Sequence, residues 1–322
     1  MRALVYDNYG PPETLRLEQL PQPQPAPGEV LVRVHATALN SWDWDLMVGT
    51  PMGRVTGPFR PPHKILGADI AGTVEAIGAG VTAFAIGDAV FGDLSEGKWA
   101  GLAELVCAKV SALAALPAGL DWIDAAALPQ AGSLALQALR KCPDLRSGDR
   151  VLINGAGGGV GTFAVQMAKT LGAHVTAVDR AEKRDALMGL GADAFIDYRT
   201  TDFTTGSDRY DLIIDVVANR SVGRFARTLN DDGRLVVIGG TIGSLLQIAA
   251  LGALFGRRRR QRLGLLIYRA SAADSAELAA RCLSGALRPV IDGVYGLEQG
   301  AVAMRRLGDG LAIGKVVVTP NT

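Results

Sequence analysis

A glycine-crowded segment, Asn154-Gly155-Ala156-Gly157-Gly158-Gly159-Val160-Gly161, lies between the apolar run Val151-Leu152-Ile153 and a helix-patterned stretch, Val160 to Leu171. No other feature of the chain constrains its fold as strongly. A turn entered from a strand and left into a helix sets backbone N–H groups, and the positive end of the helix, against whatever lies outside it. Glycines there let an anion reach the main chain without meeting a Cβ, and they permit positive φ. A second strand pattern, His174 to Val178, comes next, and Asp179 closes it roughly twenty residues after the turn. Strand, glycine turn, helix, strand and acid in this order predict a dinucleotide site. Ala156, Gly158 and Gly161 occupy the fingerprint positions, with alanine in place of the first glycine.

The strand–helix alternation continues through the middle of the chain. Glu182 to Leu190 and Val222 to Leu229 are patterned as helices, and Leu212 to Val217 and Leu235 to Ile238 as short apolar strands. Apolar, β-branched strands of this kind suit a parallel sheet covered by helices on both faces. Before Asp121 the texture differs. Val30 to Ala36, Ile70 to Gly78, Ala89 to Gly92 and Leu102 to Ala108 predict short strands broken by glycine and proline, as in a small barrel or partly open sheet. Asp121 to Leu128 and Ser133 to Arg140 predict helices, the first capped by its aspartate. Gly314 to Val318 returns to strand.

Composition excludes several classes of function. The chain has 322 residues, 48% hydrophobic and 20% charged, with 33 Lys and Arg against 32 Asp and Glu. A net charge of +1 provides no general field for nucleic acid. Cys107, Cys142 and Cys282 are too few and too scattered for a disulfide framework or a Cys-x-x-Cys metal site. The start of the chain lacks the pattern of a secretory signal, and Leu245 to Phe255 is too short to span a bilayer, so a cytoplasmic location without stable membrane insertion is expected. Arg257 to Arg260, with Arg262, follow that apolar run. An anionic membrane surface or RNA suits such a cluster, but a mobile surface loop or lid suits it better in a chain of near-zero net charge.

Several further segments share one resemblance. They are Tyr9-Gly10-Pro11-Pro12-Glu13; Val32-Arg33-Val34-His35-Ala36-Thr37-Ala38-Leu39-Asn40 with Asp43; Leu66-Gly67-Ala68-Asp69-Ile70-Ala71-Gly72-Thr73-Val74; Gly87 to Gly92; and Gly314-Lys315-Val316-Val317-Val318. With the glycine turn they make the chain resemble the medium-chain dehydrogenase/reductases, in their zinc-independent, quinone oxidoreductase-like branch. The resemblance implies an α/β protein with a GroES-like β-rich catalytic domain, residues 1–120 completed by 291–322. A Rossmann NAD(P)-binding domain with a doubly wound parallel sheet would span 121–290. It also implies an active cleft between the domains and a homodimer.

Zinc-dependent relatives carry a cysteine where this chain has Asn40-Ser41, and Gly-His-Glu where it has Gly67-Ala68-Asp69. Asn, Ser and Ala are not ordinary zinc ligands, and His35 and His63 are isolated, so no metal is expected. Without a Lewis acid, a plain alcohol is a hard substrate. A quinone or an α,β-unsaturated carbonyl is easier, because hydride addition leaves a delocalised oxyanion that hydrogen-bond donors can support. Metal-free, NAD(P)H-dependent reduction of such acceptors is therefore expected. The alternatives are a zinc-free alcohol or aldehyde dehydrogenase, and a nucleotide-binding sensor without significant turnover.

Asn40 is the candidate catalytic residue, as an amide donor to the substrate carbonyl; shaping the turn into the next helix is an equally open role. Asp43 reads as a helix cap or buried acceptor. Where some relatives have a tyrosine and a threonine, this chain has Asp45 and Leu134. The expected cofactor contacts are Ala156, Gly157, Gly158, Gly159, Val160 and Gly161; Asp179 and Arg180; Lys183 and Tyr198; Val217 and Ala218; and Ile238, Gly239 and Gly240. Asp179 favours the free ribose hydroxyls of NAD. Arg180, Lys183 and Tyr198 favour the 2′-phosphate of NADP, the last two by resemblance, and they tip the balance slightly to NADPH.

Overall fold

The protein is described here by a computed structural model covering residues 1–320. Its N-terminal part is built from strands β1 (Arg2–Val5), β2 (Arg16–Gln19) and β3 (Glu29–Leu39), helix α1 (Ser41–Val48), and strands β4 (Asp69–Ile77), β5 (Ala89–Asp93), β6 (Leu105–Lys109) and β7 (Leu113–Ala115). Helices α2 (Trp122–Ala127) and α3 (Pro129–Arg140) follow; Asp121 caps α2 through the Asp124 N–H, as the sequence predicts. Then strand and helix alternate: β8 (Arg150–Asn154), α4 (Gly159–Thr170), β9 (His174–Asp179), α5 (Arg184–Gly189), β10 (Ala194–Asp197), β11 (Tyr210–Asp215), α6 (Val222–Thr228), β12 (Leu229–Val237), α7 (Ile242–Gly256) and β13 (Arg262–Leu265). The chain ends with α8 (Ala272–Leu283), β14 (Ile291–Gly296), α9 (Gly300–Gly308) and β15 (Lys315–Thr319).

These elements form two compact units. One comprises Met1–Ser133 with Ala270–Thr322, the other Leu134–Arg269. In the first, a mainly antiparallel sheet runs β14-β15-β3-β4-β5-β7, and the N-terminal part of the long β3 also pairs with β6. Alternate residues of β3 (Val30, Val32, Val34) meet Ile70, Val74, Val90, Val106 and Leu113 in one apolar core. The other end of β3 lies between β4 and β15, with Ala38 opposite Asp69 and Leu39 opposite Val316. That register positions the polar cluster described below. Helix α8 belongs to this unit, packing on β5 and β7.

The second unit is a parallel sheet in the order β10-β9-β8-β11-β12-β13. The order reverses between β8 and β11, which makes their carboxyl ends the switch point where open α/β sheets take ligands. Val151, Leu152, Ile153, Ile213 and Ile214 are fully buried, as expected of strands covered on both faces.

The structure differs from the sequence reading around the arginine cluster. Arg257–Arg259 form an exposed turn of 3-10 helix, and Arg262 opens β13, an edge strand of the sheet. Two of the arginines are paired locally, Arg259 with Asp231 and Arg260 with Asp232. The apolar run before them is the helix α7, which packs on β13 through Gly252. Among the described residues, no helix is long and apolar enough to cross a membrane.

Candidate functional site

The glycine turn forms where the sequence puts it. Gly155 takes positive φ (+82°), and the Gly155 and Ala156 N–H groups donate to the Val178 carbonyl on β9, closing the turn against the sheet. Gly157 donates to Asp179 Oδ2 at 2.7 Å. The amides of Ala156 and Gly157 thus hold the turn together. Gly158 is the N-cap of α4, and no side chain caps the helix, so the first-turn N–H groups of Gly159, Val160 and Gly161 lack the partners a capped helix would have. At Gly161 a Cβ would lie 2.3 Å from the Gly155 carbonyl, so this glycine serves the packing of helix on turn. At Gly158 a Cβ would meet only the Gly155 carbonyl, at 3.5 Å, which leaves open space at the head of the helix. An uncapped helix N-terminus behind a glycine approach at a switch point fits the pyrophosphate of a dinucleotide.

Asp179 stands beside this turn. Its Oδ2 accepts from Gly157 and its Oδ1 from the Arg180 N–H at 2.8 Å. The buried Lys183 ammonium lies 3.8 Å from Oδ1, and its chain crosses Gly157 so closely that a Cβ there would come 2.4 Å from Lys183 Cδ. Arg180 donates from Nε to the Tyr198 hydroxyl at 3.2 Å. Asp179, Arg180, Lys183 and Tyr198 therefore form one cluster at the ends of β9 and β10.

The remaining predicted contacts line the ends of β11 and β12. Val217 is half exposed, while Ala218 is buried and donates to the Gly239 carbonyl. Ile238 donates to the Asp215 carbonyl, and Ala218 pairs with Gly240 in a parallel bridge. A Cβ at Gly239 would lie 2.7 Å from the Val216 carbonyl. Gly239-Gly240 is thus a close strand-to-strand approach, not a simple turn.

Two residues at the switch point escape the sequence reading. Asn154, ending β8, donates to Asp215 Oδ1 at 2.9 Å, and Val217 donates to the same oxygen. Asp215 Oδ2 is buried without a hydrogen-bond partner among the described residues, and burial pushes the carboxyl up to about 6. The available signal was an acid at the end of an otherwise apolar strand, Leu212 to Ile214.

In the first unit, Asn40 ends β3 at the N-cap of α1. Its backbone N–H donates to Asp43 Oδ2, and Asp43 Oδ1 takes the Gly67 N–H, each at 2.8 Å. Asp43 is thus the buried acceptor the sequence predicts, and desolvation raises its carboxyl to about 6. Gly67 lies at φ +92°, where a Cβ would lie 2.8 Å from the Leu102 nitrogen. The Asn40 side chain has other partners. Nδ2 donates to Asp69 Oδ2 at 2.9 Å, and Oδ1 accepts from Lys315 Nζ. Lys315 Nζ is also 3.3 Å from Asp69 Oδ2, with side-chain exposures of 1% and 0%. Asp69 Oδ1 accepts the Gln130 N–H near the start of α3. Burial pushes the Asp69 carboxyl up to about 7, and Lys315 opposes the rise.

This donor set does not fit zinc. The Asn40 amide oxygen faces an ammonium, Ala68 has no donor atom, and Asp69 is already shared between Asn40 and Lys315. Among the described residues, no group of three or more His, Cys, Asp and Glu side chains could hold a metal ion. His35 bonds Thr73 Oγ1 and packs on Trp122, and His63 stacks on Trp99, both structural contacts. Trp44 packs into the core formed by α1, α9 and β15, while Trp42 is partly exposed.

Residues 26–118 match the alcohol dehydrogenase GroES-like domain, and residues 190–318 the family described as zinc-binding dehydrogenase. The chloroplast envelope quinone oxidoreductase homolog of Arabidopsis thaliana is 32% identical over 99% of this chain and 98% of its own length. The 2-methylene-furan-3-one reductase of Solanum lycopersicum is 29% identical over 99% of this chain and 79% of its own. Among solved structures, the quinone oxidoreductase from Coxiella burnetii superposes with a TM-score of 0.88 at 29% identity, covering 100% of this chain and 99% of that one.

Proposed function

Because the chain belongs to the medium-chain dehydrogenase/reductase family, in its quinone oxidoreductase-like branch, we propose that this NAD(P)-dependent oxidoreductase reduces quinones or α,β-unsaturated carbonyls without a metal ion. The observation that carries this reading is the side chain at the end of β3. It is an amide fixed between a carboxylate and an ammonium, in a donor set that does not suit zinc. An amide N–H can support the oxyanion of a conjugated acceptor but gives little help to a simple alkoxide. The names of the Arabidopsis and tomato relatives, a quinone oxidoreductase homolog and the reductase of a conjugated ketone, support the same substrate class.

In this reading Gly159, Val160 and Gly161 hold the cofactor pyrophosphate by backbone N–H groups, and Gly158 leaves room for it. Val217, Ala218 and the Gly239-Gly240 backbone flank the nicotinamide half. When bound, the cofactor supplies the hydride. Asn40 Nδ2 donates to the acceptor oxygen as charge develops there, and solvent supplies the proton to the product. NADPH is the preferred cofactor. Both Asp179 oxygens already accept backbone N–H groups and Lys183 offsets the carboxylate charge, so the acid does not repel a 2′-phosphate held beside it by Arg180 and Tyr198.

The chain acts as a homodimer. β13 ends its sheet with an unpaired edge, and beside it α7 exposes Leu246 and Leu254 at 65% and 66%, a pairing of features that a second copy would cover. The free thiols Cys107, Cys142 and Cys282 suit a reducing compartment such as the cytoplasm.

The test is NADPH and NADH oxidation by the purified chain with an ortho-quinone, a simple enone or an aldehyde, and NAD(P)⁺ reduction with a primary alcohol, each with and without a chelator. Chelator-insensitive turnover of the quinone or enone is expected. Turnover confined to the alcohol, or tight NADPH binding without turnover, would overturn the reading.

A further inference from the structure

Asn40 and Lys315 are 275 positions apart, and the β3–β15 register brings them together at a buried point. A lysine opening the apolar strand Val316-Val317-Val318, at 1% exposure, carries a desolvation penalty that ordinary packing residues avoid. Its geometry shows a use for the charge. A primary amide can sit in two orientations related by a half-turn, which exchange oxygen and nitrogen. In the observed orientation Oδ1 faces the Lys315 ammonium and Nδ2 faces the Asp69 carboxylate. The flipped amide would set Nδ2–H against an ammonium and Oδ1 against a carboxylate, so both ends would repel.

The pair also acts on the amide electronically. An ammonium on Oδ1 draws density from the amide nitrogen and makes its N–H groups better donors. One Nδ2 hydrogen goes to Asp69, and the second has no partner among the described residues. The anchor is rigid, because Asp69 Oδ1 is tied to the Gln130 N–H and the Asn40 backbone N–H to Asp43.

We propose that Lys315 is a positioning residue for carbonyl reduction: together with Asp69 it fixes the Asn40 amide so that its free N–H is presented to the acceptor oxygen. The inference rests on the reading of Asn40 as the carbonyl donor. Lys315 itself touches neither substrate nor cofactor.

The experiment measures hydride transfer in a single turnover, with NADPH and an enone or quinone, alongside cofactor Kd and thermal midpoint. Lys315→Met alone leaves Asp69 buried without its counter-charge and can fail to fold, so the deciding variant is Asp69→Asn/Lys315→Met, which removes both charges at once. The expected result is a hydride-transfer rate lower by about tenfold to a hundredfold, less than the roughly hundredfold to thousandfold cost of losing an oxyanion donor outright, because the amide stays but is no longer held. Cofactor Kd stays unchanged and the protein stays folded. Lys315→Arg keeps most of the rate, and adding Asp69→Asn/Lys315→Met to Asn40→Ala slows the reaction no further. A folded double variant with the wild-type rate overturns the inference. If Asn40→Ala is slow while that double variant is not, the inference alone fails. If Asn40→Ala itself transfers hydride at the wild-type rate, the donor reading fails and takes this inference with it.

Discussion

Gly158→Ala separates the ligand role of the glycine turn from its structural role. Gly158 sits at φ −84° and ψ 177°, backbone that any residue adopts, and a Cβ there would touch only the Gly155 carbonyl at 3.5 Å. Gly161 differs, since its Cβ would lie 2.3 Å from the Gly155 carbonyl and 2.5 Å from Ala156 Cα. Alanine at 158 restricts the unfolded chain, a gain of about 0.4–1 kcal/mol. It also loses an N-cap preference of similar size. The two terms offset, so the thermal midpoint without cofactor should move by only about 2–4 °C in either direction. The cofactor complex should suffer much more. On the proposed placement of the pyrophosphate, the added methyl would stand in the way of a phosphate oxygen at the first turn of α4, and losing one hydrogen bond to a charged group costs about 1.5–3 kcal/mol. That corresponds to a Kd weaker by about tenfold to a hundredfold. The assay is NADPH titration by fluorescence or calorimetry, paired with thermal shift at a fixed cofactor concentration. At about 100 times the wild-type Kd, the wild type gains roughly 2.7 kcal/mol from bound cofactor, while a variant a hundredfold weaker gains less than about 0.5 kcal/mol. A Gly158→Ala protein that binds NADPH with the wild-type Kd would refute placement of the pyrophosphate at this helix end.

Three further outcomes follow from other parts of the molecule. Arg180→Ala should weaken NADPH by about tenfold and NADH much less, because only the former carries a 2′-phosphate; equal losses measured by titration would count against the proposed preference. Asp215 is raised by burial to about 6, above an unfolded carboxyl near about 4. The native state therefore holds the proton more tightly, and this group's contribution to stability falls as pH rises from about 4 to about 6. Urea unfolding of Asp215→Asn, which keeps the acceptor for Asn154 and Val217, should show an advantage over wild type that grows across that window; a difference independent of pH would show that the carboxyl does not titrate there. Leu254→Asp on the exposed face of α7 should convert a dimer to a monomer in sedimentation or size exclusion, and a wild-type chain that already runs as a monomer would refute the dimer.

The parts of this fold that were legible in sequence are those whose cause is local. The glycine turn, the strand before it, the helix after it and Asp179 lie within one short stretch, and each enforces its neighbour: Gly157 donates to Asp179, and Gly155 and Ala156 donate to Val178. The Asp121 cap of α2 is equally local. The second half of the Rossmann sheet was legible up to β12, where periodicity and turn residues agree. It failed at Arg262–Leu265, because a four-residue edge strand opening on an arginine carries no apolar pattern, and only pairing with Arg234–Val237 makes it a strand. Helix α7 was hidden for a different reason. Its buried stripe is Ser244, Ile248, Gly252 and Gly256, so three of the four residues facing the sheet are small, while Leu246, Leu254 and Phe255 face out, against the usual amphipathic rule.

The candidate catalytic cluster shows the same limit at a single side chain. Asn40 could be nominated from sequence, but whether its amide donates or merely shapes a turn depends on what holds it, and its holders come from distant segments. Asp69 reads in sequence as an acid without partners, and Lys315 as the first letter of a strand motif. Only the register of β3 with β4 and β15 gives them one place. Once assembled, their charges cease to be separate puzzles. A buried acid is shared by an ammonium and an amide, and the lysine buried at the start of an apolar strand faces the oxygen of that amide. On the proposed reading, the Asn40 amide and the Lys315 ammonium are therefore one device. The consequence is testable in reverse: restoring Asn40→Cys and Ala68→His without changing Lys315 should not yield a zinc site, because the ammonium still holds Asp69 and repels the cation. Zinc uptake by that double variant, measured by competition with a chromogenic chelator, would show that Lys315 does not keep a metal from this site.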